Sequence, residues 1–159
     1  MRDAKALLSE LLAAIPNGDG VAALFAEDGV VEIPFLHTLG MPARYQGRTQ
    51  IRDFYNQVGT LYADFGFKPE DTKVLIATPD HVFAEYMTHA KAAGTGRPIH
   101  HLFAGRLVAD NGQIKLLRES MNTLAAVQAL NPKGAAGLPA PPAEVFSVPP
   151  DYVSQGAAR

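Results

Sequence analysis

Apolar residues recur at helical spacing in the first third of the chain and at strand spacing afterwards, and this change of period organises the reading. Ala4, Leu7, Leu8, Leu11, Leu12 and Ile15 form a one-sided stripe, so the opening segment reads as an amphipathic helix. Pro16-Asn17-Gly18 ends it, and Asp19 is the expected cap of a short second helix through Val21, Leu24 and Phe25. Val30 to Ile33 reads as a brief strand stopped by Pro34. Phe35 to Gly47 reads as a loop. Thr49 to Leu61 is helical again, with Ile51, Phe54, Tyr55 and Val58 on one side.

Strands then take over, at 64–67, 73–78, 82–92, 99–109 and 113–121. Ala93-Gly94-Thr95-Gly96 and Asp110-Asn111-Gly112 mark hairpins, because Gly and Asn accept the positive φ that tight turns need. Helices first and successive hairpins later predict an α+β fold with an antiparallel sheet rather than a doubly wound one. Asn122 is placed to cap a last short helix through Leu130. Beyond Asn131-Pro132 the composition turns to Pro, Ala and Gly, which suits neither a helix nor a central strand. The chain therefore divides into a domain over residues 1–130 and an extension over 131–159, where Val145, Phe146, Val148 and Tyr152 can dock.

Composition narrows the function classes. Of 159 residues, 47% are hydrophobic and 19% charged, enough apolar material for one core. The net charge of −2 is scattered, with no basic stripe to meet phosphates, so nucleic acid is not expected as a partner. The absence of cysteine excludes disulfides, thiolate chemistry and Cys-ligated zinc, and points to a reducing, cytoplasmic setting. Met1 to Lys5 leads into an amphipathic segment, so no signal peptide is expected, and no apolar run approaches the ~20 residues of a membrane span. No His or carboxylate spacing suits a metal, and neither metal nor cofactor is expected.

Leu24-Phe25-Ala26-Glu27-Asp28-Gly29-Val30-Val31-Glu32, then Gln46-Gly47-Arg48 opening a helix, then Arg118-Glu119-Ser120-Met121-Asn122 after the last hairpin, carry a family signature in their order and spacing. Over residues 7–130 the chain resembles the SnoaL-like branch of the nuclear transport factor 2-like superfamily. The resemblance implies a curved antiparallel sheet packed with N-terminal helices into a cone with an internal pocket, a cystatin-like roll. It also implies a small apolar ligand and usually a homodimer. Members include ketosteroid isomerases, limonene-epoxide hydrolases, polyketide cyclases, phenazine-biosynthesis proteins and non-enzymes, so the fold leaves the function open.

Strand alternation sorts the candidate residues. Leu117, Glu119 and Met121 share one face of the last strand. A carboxylate between Leu and Met is desolvated, which raises its pKa and suits it to proton transfer. The resemblance also implies a pocket acid here, so Glu119 is the first catalytic candidate, with pairing to Arg106 or Lys115 as the structural alternative. Tyr86, sharing a face with Thr88, can donate to a substrate carbonyl or simply pack. His100 and His101 point to opposite faces; His101 lies with Phe103 and is a candidate acid or base, or a core histidine. His37 falls where the resemblance implies a water-positioning tyrosine in epoxide hydrolases. The expected pocket lining is Ile33, Phe35, Phe54, Tyr55, Val58, Thr88, Phe103, Leu117 and Met121.

Two named activities of the family lack their residues. The ketosteroid isomerase base aligns with Ile33, and no Asp lies near Phe103 to Gly105 to form the oxyanion hole. The Arg and second Asp of the epoxide hydrolases fall on Tyr86 and Thr88. What is left suits an acid/base task on an apolar carbonyl- or polyketide-like compound, as in an isomerase, cyclase or dehydratase, and equally a non-catalytic ligand-binding or dimerisation module. A protein contact made by the Pro-rich extension is a third reading.

Overall fold

The computed structural model describes residues 1–137, so the expectations for the rest of the extension fall outside the described residues. Asp3 caps α1 (Ala4–Ala14) by accepting from the Ala6 amide at 2.8 Å, and the apolar stripe buries Leu7, Leu8, Leu11 and Leu12. α2 (Gly18–Leu24) is capped by Asn17, not Asp19: the Asn17 side chain accepts from Gly20, which leaves Asp19 inside the first turn. α2 packs against α3 (Arg48–Leu61), and Gly18 makes the approach possible. A side chain there would strike the Arg52 carbonyl, while its amide donates to Asn56 Oδ1 at 3.0 Å.

β1 (Phe25–Glu32) begins earlier than the Val30 start that alternation suggests, because a register shift between Phe25 and Val30 interrupts the pattern. The segment read as a loop holds a 3-10 turn, Pro34–Leu39, and a short β2 (Arg44–Gln46). The strand expected at 64–67 is absent: β3 is only Tyr62–Ala63, and Asp64 turns the chain with φ 58°. Asp tolerates that left-handed region better than most residues. β4 (Phe67–Ala77), β5 (His81–Ala92), β6 (Pro98–Asp110) and β7 (Gln113–Met121) follow, and Asn122 caps α4 (Thr123–Leu130). Asn111 and Gly112 both take positive φ in the β6–β7 hairpin.

The sheet runs β2-β1-β7-β6-β5-β3, with β4 also on β5. It is antiparallel except for one pair. The antiparallel expectation is met in every other pair, and β1 and β7 add one parallel pairing; most of the chain lies between them, so no short hairpin dictates their direction. Val31, Tyr86, Phe103, Leu107 and Leu117 on the inner face meet Leu7, Leu11, Ile51, Phe54 and Tyr55 of the helices in one core. Across the outer face a register row reads Ile76, Phe83, Arg106, Arg118, Glu32 and Arg44.

Candidate functional site

A cavity with about 620 Å³ of empty space, part of it open to solvent, lies between the inner face of the sheet, α3, α4 and the Pro34–Leu39 turn. Its wall is almost wholly apolar and includes Ile33, Phe54, Tyr55, Val58, Phe103 and Met121. Leu36, Leu39, Met41, Leu61, Tyr62, Phe65 and Phe67 add to it, and Ala126 and Leu130 of α4 close one side. Among the described residues, Glu119 and His101 are the ionisable side chains on this wall besides the tyrosines.

Glu119 reaches the cavity because β7 alternates as expected, and it is 4% exposed. Burial pushes its carboxyl up to about 7 from an ordinary 4.5, although a hydrogen bond from Tyr86 pulls the other way. Neither proposed ion-pair partner holds it. Lys115 Nζ bonds Asp28 at 2.7 Å, and Arg106 sits on the outer face, one residue out of phase with Gly105 opposite Glu119. The partner is Tyr86, whose hydroxyl donates to Glu119 Oε1.

That contact corrects the reading of Tyr86. It is fully buried and absent from the cavity wall, so it holds the acid rather than lining the cavity. The route is diagonal. Tyr86 lies opposite Phe103 on β6, and Glu119 lies opposite Gly105 on the same strand. A Cβ at position 105 would collide with the Tyr86 hydroxyl, so the missing side chain is the passage. Burial, and then the neighbouring Glu119, hold the Tyr86 phenol well above its ordinary pKa, so it stays a donor.

His101 is 1% exposed, and neither ring nitrogen has a partner among the described residues. Burial, with a smaller contribution from His100, lowers its pKa, so near neutrality it carries one N–H and one free acceptor. It makes no hydrogen bond to Glu119. The Tyr55 hydroxyl on α3 is likewise buried and unpartnered, kept protonated by burial and then by Glu119.

Four further expectations are corrected. His37 is off the cavity wall, its Nδ1 donating to the Pro34 carbonyl at 2.6 Å. Phe35 is 50% exposed, because the tight turn sends Leu36 and Leu39 inward instead. Thr88 is buried behind the wall, donating to the Gly66 carbonyl at 2.6 Å. Leu117 belongs to the main core cluster rather than to the cavity wall. Sequence reasoning missed Gly105, for which collision with a neighbour's side chain leaves no local signal, and the α4 wall. It also missed Glu32, fully buried on the outer face with Arg44 Nη1 at 2.5 Å and Arg118 Nη1 at 3.6 Å.

The chain belongs to the SnoaL-like domain family, whose profile matches residues 10–117 and stops short of Glu119 and α4. No curated protein matches it. A candidate isomerase from Bacillus subtilis is similar at 22% identity and TM-score 0.70, covering 79% of this chain and 91% of its own. A phenazine biosynthesis-related protein from Pseudomonas aeruginosa aligns at 20% identity and TM-score 0.67 over 92% of each chain. A candidate polyketide cyclase from Xanthomonas campestris aligns at 20% identity and TM-score 0.65, over 80% and 96%. At these identities the likenesses establish the nuclear transport factor 2-like fold. Among the described residues no helix is long and apolar enough to cross a membrane.

Proposed function

We infer that this protein is a small-molecule enzyme of the acid/base type, an isomerase, cyclase or dehydratase acting on an apolar carbonyl- or polyketide-like substrate, with Glu119 moving the proton. The observation that carries this reading is a lone carboxyl on an apolar cavity wall whose pKa is pushed up to about 7. Near neutrality both of its forms are populated, which a proton-transfer group needs. Tyr86 fixes its orientation from below, and the unpartnered Tyr55 hydroxyl can donate to a substrate carbonyl. Membership of the SnoaL-like family supports the same broad class. The lack of cysteine suits work in the cytoplasm.

Binding without chemistry has one observation in its favour: both nitrogens of His101 are unpartnered among the described residues, so it forms no acid–base pair with Glu119. The two readings part on one experiment. Apolar carbonyl compounds that raise the melting temperature are incubated with the wild type and with Glu119→Gln, and products are followed by chromatography and NMR. Catalysis predicts turnover that falls by about a hundredfold or more in the variant while binding persists. Compounds that stabilise both proteins and emerge unchanged leave only the binding module.

A homodimer through the outer face of the sheet fits the same reading. Ile76, Phe83 and Leu102 are exposed there. Beside them Arg106 buries Nε and Nη2 with no acceptor among the described residues, an expensive arrangement in a lone chain. Glu85, half-buried on the same face and diagonal to Arg106 across β5 and β6, makes no ion pair among the described residues. A two-fold axis would bring the Arg106 of each copy to the Glu85 of the other, satisfying both twice.

A further inference from the structure

The polar groups of the cavity are spread along its length, not gathered at one point. On β6, Gly105 faces Glu119, Phe103 faces Met121, and His101 lies a further two residues along. Four strand residues separate the Glu119 level from His101, roughly 13 Å. Phe67, Phe103 and Met121 line the wall with no polar atom to offer. One end therefore holds the Glu119 carboxyl, with the Tyr55 hydroxyl under its electrostatic influence. The other holds an imidazole, 1% exposed, with a donor and an acceptor both unspent. A buried imidazole with nothing to bond is costly unless something else satisfies it.

We propose that the cavity takes an elongated apolar molecule with a neutral hydrogen-bonding oxygen at each end, one oxygen meeting Glu119 and Tyr55 and the other meeting His101. This rests on the cavity being the ligand site, as in the proposed function. Among the described residues no lysine or arginine lines the wall, so an anionic end would be desolvated without a counter-charge from them. His101 is then a specificity-determining residue that reads the far end of the ligand. Chemistry remains at Glu119. The reaction supplying such a substrate is one that leaves oxygen functions well apart on a hydrocarbon frame.

The test compares 2-naphthol with 2,6-dihydroxynaphthalene, rigid probes with one hydroxyl and with two at opposite ends. Affinities are measured by calorimetry on the full chain. The wild type should bind the diol about tenfold more tightly than the mono-ol. His101→Phe should erase that preference, and His101→Gln should restore part of it. Independently of any variant, the His101 ring nitrogens should shift in 15N NMR on adding the diol and stay in place with the mono-ol. Equal binding of the two probes, or a preference that survives His101→Phe, overturns this proposal alone and leaves the acid/base reading standing. Failure of both probes to bind overturns the cavity as ligand site along with it.

Discussion

Tyr86 and Glu119 are two strands apart, and their side chains meet only because the strand between them carries Gly105 where they cross. Tyr86 does not compete for the space in front of the acid. It approaches from within the core, and Glu119 still lines the cavity, so one carboxyl is both held by the core and presented on the wall.

Gly105→Ala should be among the more damaging small substitutions in the domain. The added methyl occupies the path of the Tyr86 hydroxyl, forcing the ring aside and breaking its bond to Glu119. A cost of about 2–3 kcal/mol is expected from overpacking and the lost buried hydrogen bond. Chemical denaturation of Gly105→Ala, Tyr86→Phe and the double variant checks it. The two effects should be strongly non-additive, because both remove the same bond.

Tyr86→Phe should raise the Glu119 pKa above about 7, since the phenol is the group that holds it down against burial. Titration of a 13C-labelled Glu119 carboxyl by NMR reads this directly. A midpoint that moves down would mean that the hydroxyl favours the protonated acid.

Replacing the acid should change stability in a pH-dependent way. Below pH 4.5 Glu119 is protonated in both folded and unfolded chains. As pH rises towards 7 the unfolded chain gives up this proton while the folded chain keeps it, so folding becomes less favourable. Glu119→Gln escapes that loss. Relative to the wild type it should gain stability from pH 4.5 to about 8, by up to about 3 kcal/mol, with no further change above. Melting temperatures across that range give the slope and its sign.

Arg106→Glu should leave a folded monomer. If the outer face is the interface, sedimentation will show a wild-type dimer, a monomeric Arg106→Glu, and a dimer again when Glu85→Arg is added. A wild type that sediments as a monomer at micromolar concentration ends the assembly proposal.

The parts of the fold that depend on period were legible in the sequence. Leu7, Leu8, Leu11 and Leu12 face inward at helical spacing, and Leu117, Glu119 and Met121 keep the parity that places the acid. What local pattern does not encode is which distant strand lies alongside. The parallel β1–β7 pair has no turn to announce it, and the bulge between Phe25 and Val30 scrambles the alternation that would have extended β1. The site was read in the same measure. Glu119 could be placed on a face by counting, whereas Tyr86 could not be moved from ligand contact to acid support without knowing that Gly105 lies between. Phe35 was misread because a 3-10 turn advances side chains by a third of a turn, which sends Leu36 inward and leaves Phe35 in solvent.

The strand bearing Glu119 is flanked by β1 on one side and β6 on the other, while α4 is tied at its last turn by Thr95 to the Ala129 carbonyl and by Arg97 to that of Gln128. Floor and roof therefore differ in stiffness. Amides of β7 should exchange with deuterium only on global opening, and those of α4 by local fraying. The acid sits on a strand paired along both edges, whereas the cavity side formed by Ala126 and Leu130 rests on a short helix held at its end.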